Sequence, residues 1–190
     1  MSGKILVAYG SRYGCTKEIA QKIGDIFEEE DFECHVINLK KSKRKNWPFV
    51  DVYDGVVIGT GIQIGQWVGE AKKYLKEIAE ELNKGRIKYA LFVSAGSASV
   101  DSGKAKVNYI DKLVQSLNLR HPDLSSAFAG VLDFSTESNL GIIKKEALKL
   151  ATKGMAKEKE DLEFDLQGCN DLRDWAAIEQ FARDFLVLLK

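Results

Sequence analysis

The sequence predicts a doubly wound α/β protein built on a parallel sheet. Three observations carry that expectation. Short, wholly apolar runs recur along the 190 residues, each is followed by a stretch with helical spacing, and the turns that join them are rich in glycine, serine and threonine. Strands buried on both faces read as continuous apolar runs, and parallel neighbours need helical crossovers. Sheets of this kind bind ligands outside the carboxyl ends of their strands, so the turns that leave those ends are where function is sought.

Taken in order, Ile5 to Tyr9 forms the first strand. From Thr16 to about Glu30, Ile19, Ala20, Ile23, Ile26 and Phe27 share one helical face. Cys34, Val36 and Leu39 alternate with polar neighbours, as an edge strand does. The run Lys40 to Lys45 reads as a solvated connection or as a contact for an acidic partner, substrate or lipid surface. Val56 to Ile58 is the third strand, and a helix follows in which Ala71, Leu75, Ile78 and Leu82 line up, closed by Gly85. Tyr89 to Val93 is the fourth strand. The helix after it turns Val107, Ile110, Val114 and Leu117 inward. Ala127 to Leu132 is the next strand. Between about 135 and 161 an insertion carries an amphipathic helix with Ile142, Ile143, Ala147, Leu150 and Ala151 among lysines. Leu162 to Leu166 resumes or extends the strand, and Asn170 or Asp171 caps a closing helix with Trp175, Ile178, Ala182, Phe185 and Leu189 inward. The expectation is one domain over residues 1–190, a length that buries about 70% of the unfolded surface.

Composition removes several functional classes. Lys plus Arg and Asp plus Glu number 28 each, so no global field favours nucleic acid. Cys15, Cys34 and Cys169 are odd in number and lack metal-ligand spacing, which suggests reduced thiols and no metal site. Neither a signal peptide nor an apolar run long enough to span a bilayer is visible. A soluble cytoplasmic protein is expected, with peripheral contact to the cytoplasmic membrane face left open.

Three turns carry the candidate chemistry. The first is Ser11-Arg12-Tyr13-Gly14-Cys15-Thr16, between the first strand and the first helix. The opening turn of a helix has unpaired N–H groups and roughly half a positive charge, so an anion is favoured there. Hydroxyls at Ser11 and Thr16 and close backbone approach at Gly14 suit a phosphate; an ordinary turn capped by Thr16 would show the same residues. The second turn holds Thr60, Gly61, Ile62, Gln63, Ile64 and Trp67, with Gly59 and Gly65: backbone that can lie against a flat group, beside apolar side chains. Trp67 reads equally as a core anchor. The third, Ser94-Ala95-Gly96-Ser97-Ala98-Ser99, has only small residues and can approach a ligand with amides and hydroxyls. A P-loop would need a lysine where Cys15 stands, a dinucleotide fold a different glycine spacing, and a response regulator aspartates at Tyr9-Gly10 and Gly59-Thr60.

The pattern resembles flavodoxins, whose first loop has the form [Ser/Thr]-x-x-Gly-x-[Ser/Thr]; Ser11, Gly14 and Thr16 match it. More narrowly, the phrase Val56 to Gly65, followed by Tyr74-Leu75-Lys76, and the closing Asp174 to Ala182 look like the branch that includes menaquinone-dependent protoporphyrinogen oxidase. Gln63 and Ile64 depart from that branch. The resemblance implies a five-stranded sheet of order 2-1-3-4-5. It implies FMN bound by Ser11 to Thr16 through its phosphate and by Thr60 to Ile64, Trp67 and Ser94 to Ser97 around its ring. It also implies electron transfer from a porphyrinogen or other reduced organic substrate to a quinone. Lys104, Lys106, Lys144 and Lys145 would meet substrate carboxylates or anionic lipid. An electron carrier that docks on a redox protein, without an organic substrate, is the alternative; a domain that has lost FMN is a third. Cys15 reads either as a redox thiol or as a small spectator, and His35 and His121 as structural.

Overall fold

The computed structural model describes residues 3–136, 138, 142–159 and 162–190, and of residues 142–144 the backbone alone. In chain order it comprises β1 (Lys4–Gly10), α1 (Cys15–Glu29), β2 (Glu33–Asn38), β3 (Gly55–Gln63), β4 (Gln66–Trp67), α2 (Gly69–Glu77), α3 (Ala79–Asn83) and β5 (Lys88–Ser94). There follow α4 (Ser102–Lys106), a π-helical turn (Val107–Asp111), α5 (Lys112–Ser116), β6 (Leu124–Phe128), β7 (Val131–Asp133), α6 (Ile142–Glu158), β8 (Cys169–Asp171) and α7 (Trp175–Val187). The main sheet is parallel in the order β2-β1-β3-β5-β6, with β4 folded back on β3. Set that hairpin strand aside and the order is the expected 2-1-3-4-5. The fold is flavodoxin-like.

Strands this apolar have to be covered twice. One face packs Ile5, Val7 and Tyr9 against Ile19, Ile23 and Phe27 of α1 and Ile178, Phe181 and Phe185 of α7. The other packs Leu6, Ala8, Val56 and Ile58 against Ala71 and Leu75 of α2 and Ile110 and Val114 beyond β5. Buried in full, each Leu, Ile or Phe contributes about 1.5–3 kcal/mol.

Several elements differ from the pattern reading. The helix read from Ala71 to Leu82 breaks at Ile78 into α2 and α3 while all four predicted residues stay buried. The helix after β5 takes in a π turn in which the Lys112 amide bonds back to Val107 O; the added residue rotates the N-terminal half, and Val107, expected inward, is 48% exposed. The strand read over Ala127 to Leu132 is two: β6 ends at Phe128, and β7 leaves the sheet to pair antiparallel with β8. Residues 162–165 form no strand. The closing helix is capped by Asp174, whose side chain accepts the Ala177 amide, rather than by Asn170 or Asp171. In α6 the side that meets the protein is Lys145, Leu148, Lys149, Thr152, Met155 and Ala156, whereas Ala147, Leu150 and Ala151, read as its apolar face, are exposed. The side chains of Ile142, Ile143 and Lys144 lie outside the described residues.

Candidate functional site

Strand register brings the three turns together. Gly10 of β1 lies opposite Thr60 of β3, Gly61 lies opposite Ser94 of β5, and Ser94 lies opposite Phe128 of β6, so the first, second and third turns leave the sheet at one level.

In the first turn Ser11 is 8% exposed and its hydroxyl accepts the Gly14 amide at 3.2 Å, folding the loop over the start of α1. Gly14 takes φ 104°, open to glycine and strained for other residues. It is the cap residue of α1, and no side chain caps the helix; Thr16 lies inside the first turn and is buried, so the capped-turn alternative does not describe this loop. The amides of Lys17 and Glu18 both bond to Gly14 O, which leaves those of Cys15 and Thr16 ahead of the helical ladder. Arg12 and Tyr13 are exposed.

The second turn is a tight hairpin, not a plain connection: Ile62 pairs with Trp67 and Gln63 with Gln66, leaving Ile64 (φ 49°) and Gly65 (φ 70°) as its two central residues. Positive φ at both is the requirement of a type I′ turn, and a β-branched residue meets it only under strain. Ile64 is 90% exposed at the tip. Thr60, fully buried, accepts the Val68 amide on its hydroxyl at 3.1 Å and donates to Gly61 O, tying both ends of the hairpin. A Cβ at Gly61 would stand 3.0 Å from Thr16 Oγ1, so the first two turns touch. They are also bridged by Gln63 Nε2, which donates to the Tyr13 hydroxyl at 2.8 Å. Gly59, expected to lie against a ligand, has another reason: a Cβ there would sit 2.0 Å from the Phe92 ring. Trp67 is buried and its indole N–H donates to Tyr109 O at 2.7 Å, so it anchors the hairpin from behind.

The third turn starts at buried Ser94, whose hydroxyl lies 3.3 Å from Cys15 Sγ. A Cβ at Gly130 would reach Ser94 Oγ at 3.1 Å, so these groups form a closely packed floor. Ala95 and Ala98 are buried, Gly96 partly buried and Ser97 exposed. The inserted helix closes on this turn: a Cβ at Gly96 would meet Met155 at 3.7 Å, and Lys159 Nζ donates to Ser99 O. Burial pushes the Cys15 thiol up, with the Ser94 hydroxyl, the Val131 backbone and the Arg173 charge opposing it.

One cluster beside the first turn has no sequence signal. Arg173 donates two bonds to Asp171 and one to Glu18 in the first turn of α1, and lies over the Trp175 ring at 4.4 Å. Its hydrogen bonds hold the Asp171 carboxyl below the usual aspartate range. Partners 155 residues apart could not be paired from spacing. Of the lysines expected to meet anions, Lys145 donates to Ser135 O and Lys106 faces Asp111 at 3.7 Å, while Lys104 is exposed. Among the described residues no group of three or more His, Cys, Asp or Glu could hold a metal.

The sequence model of the flavodoxin domain matches residues 6–163, most of the chain and all three turns. The protein belongs to the flavodoxin domain family. Its cofactor is FMN, and the residues present fit that group: a glycine-based anion cradle at a helix start, and an extended hairpin and a small-residue turn at the same level. A Leishmania major protein named protoporphyrinogen IX dehydrogenase [quinone] is 24% identical over 189 residues, 98% of this chain and 76% of its own length. An Escherichia coli K12 protein of the same name is 30% identical over 80 residues, 42% of each. Among solved structures, a short-chain flavodoxin associated with a non-canonical PDU bacterial microcompartment is similar over the whole of both chains (TM-score 0.56, 10% identity). The apo form of the NADH:FMN oxidoreductase EmoB is similar over all of this chain and 91% of its own (TM-score 0.56, 14% identity). Likeness at such identities speaks for the flavodoxin-like fold. Among the described residues, no helix is long and apolar enough to cross a membrane.

Proposed function

We propose that this flavoprotein is an FMN-dependent oxidoreductase that takes electrons from a reduced organic substrate of porphyrinogen type and passes them to a quinone. The reading is carried by similarity along 98% of the chain to the Leishmania protein of that name; it takes the whole chain, the insertion at about 135–161 included, as one flavodoxin-like domain. FMN supplies the redox chemistry; the chain binds and orients it. The Ser11 and Thr16 hydroxyls and the amides of Arg12, Tyr13, Cys15 and Thr16 would hold the phosphate, with Gly14, whose own amide is bonded to the Ser11 hydroxyl, admitting it close to the backbone. Gly61, Ile62, Gln63 and Ile64 would line the ring on one side, with fully buried Thr60 fixing the hairpin beneath them, and Ser94, Ala95, Gly96 and Ser97 would meet its edge. Trp67 serves from behind, by fixing the hairpin. Apolar Ile62 and Ile64 beside the ring disfavour extra charge there. No side chain is needed as a general base, because the reacting atoms belong to the cofactor.

Purified protein should be yellow, and under anaerobic conditions it should convert protoporphyrinogen to fluorescent porphyrin at an enzyme-dependent rate when given a menaquinone analogue. A yellow protein without that turnover, which instead exchanges electrons rapidly with a redox protein such as ferredoxin, would replace this reading by the carrier one. Peripheral membrane contact is part of the proposal. Helix α6 turns Leu150, 72% exposed, outward with Ala147 and Ala151 beside exposed Lys153 and Lys157, the composition of an interfacial helix. Leu150→Glu should reduce flotation with anionic liposomes, and unchanged flotation would remove this role.

A further inference from the structure

Behind the hairpin lies a second cleft that the cofactor reading does not use. Its volume is about 190 Å³, and it lies between the β3–β4 hairpin, α2 and the helix that runs through the π turn. Gln66 and Trp67 form one wall, Lys72 another, and Asn108, Tyr109 and Lys112 a third. No carboxylate lines it, and among the described residues neither Lys72 nor Lys112 has an acidic partner within salt-bridge distance. Lys112 Nζ instead donates to Asn108 Oδ1 at 2.7 Å, an i,i+4 contact across the π turn. The larger cleft between α1 and α7, about 460 Å³, has the opposite character: Glu18, Asp25 and Glu179 line it, with Lys22 paired to Glu179 at 2.9 Å.

We propose that the cleft between the hairpin and the π turn is a carboxylate-binding subsite, in which Lys72 and Lys112 receive an acidic side arm of the reduced organic substrate. This rests on the organic-substrate reading above. Two independent features of the cleft point the same way. Its polar side chains include two ammoniums and the Gln66 and Asn108 amides, all able to donate to an anion, while Trp67, Tyr109 and Leu113 give it an apolar floor. That pairing suits a carboxylate on a hydrocarbon arm better than a bare inorganic anion. A site that encloses a whole ligand occupies about 300–1,000 Å³, so a cleft of this size takes one arm and leaves the body of the ligand outside.

The second feature is the π turn, a helical irregularity often found at functional sites. Within it Tyr109 O accepts the Trp67 indole N–H, and Asn108 and Lys112 line the cleft. Trp67 is therefore a shared wall: one face of the hairpin belongs to the FMN turn, which touches Thr16 and Tyr13, and the other to the cleft. A substrate held by its acidic arm behind the hairpin would have its body delivered to the hairpin's rim. Lys72 and Lys112 are in this sense positioning residues.

The test is the holoprotein carrying Lys72→Gln and Lys112→Gln together, both exposed positions whose replacement leaves the core untouched. Equilibrium binding of a non-oxidisable porphyrin dicarboxylate and of its uncharged dimethyl ester is measured in one detergent, alongside FMN content. Two partly exposed ion pairs together are worth roughly tenfold in affinity. The free acid should therefore bind the variant roughly tenfold more weakly. The ester should bind both proteins alike, FMN content should not change, and Lys72→Arg with Lys112→Arg should restore binding. Equal affinity of the two proteins for the free acid, or equal loss for acid and ester, would overturn the subsite. Turnover with a KM that ignores both lysines overturns it while the redox reading stands. Lysine-dependent binding without any turnover supports the subsite while the redox reading falls.

Discussion

Gly14→Ala tests the anion cradle through strain alone. The residue sits at φ 104°, and a Cβ built there finds only Glu18 Oε1, at 4.0 Å, so the substitution introduces no collision. What it introduces is a backbone conformation that an L-residue holds at a cost of about 1–3 kcal/mol. If the loop keeps its shape without ligand, the loss appears as reduced stability of the apoprotein. If the loop relaxes, it appears as weaker FMN binding, by about fivefold to 150-fold over that range. The two are linked, so their sum is the constrained quantity. Urea unfolding of the apoprotein, with FMN titration followed by quenching of flavin fluorescence, measures both. A combined loss under about 0.5 kcal/mol, below the strain range, would refute the claim that the cradle requires this backbone geometry.

Ile64, Asp171 and the cysteines each offer a further measurement. Ile64→Asn removes a β-branched residue from positive φ in an exposed turn and should raise stability by about 0.5–1 kcal/mol in urea unfolding; a decrease would mean that the Ile64 side chain does more than cover the tip. Asp171 is held below the usual aspartate value by Arg173, and a carboxyl depressed in the folded state stabilises above its unfolded pKa, a contribution lost as pH falls below 3.8. Asp171→Asn should therefore flatten the acid limb of the stability curve, and an unchanged limb would show that the ion pair contributes nothing. Timed alkylation at neutral pH, read by mass spectrometry, should label exposed Cys169 first; burial raises the Cys15 thiol and pushes Cys34 up to about 12, so early labelling of either would contradict their burial.

The apolar runs made the main sheet legible, because a strand buried on both faces has no other way to be written. Turn chemistry made the shape of the first turn legible, since Ser11, Gly14 and Thr16 lie within six residues and act locally. The β6–β7 region was not, because the apolar run from Ala127 to Leu132 does not reveal that Gly130 lies where Ser94 and Cys15 crowd the backbone, between two strands in different sheets. Nor was the π turn, a one-residue insertion that leaves helical periodicity intact on either side and shows only as exposed Val107. The three glycines of the second turn look alike in the sequence. Packing against Phe92, contact with Thr16 and a type I′ turn give them separate causes, none of which is local to the others.

Cys15 draws these threads together. Burial raises the Cys15 thiol against the lowering effects of the Ser94 hydroxyl, the Val131 backbone and the Arg173 charge, so the group stays neutral at the place where the phosphate is proposed to bind. Neutrality has a consequence for affinity. Two unit charges about 6 Å apart repel by roughly 3 kcal/mol at an effective dielectric of about 20, on the order of a hundredfold in binding. Cys15→Asp should thus weaken FMN by on the order of a hundredfold beyond the near-isosteric Cys15→Asn, which carries no charge. Riboflavin, which lacks the phosphate, should show a much smaller difference between the two variants. If FMN and riboflavin lose affinity equally, the anion does not lie at the start of α1, and the assignment of the first turn falls with it.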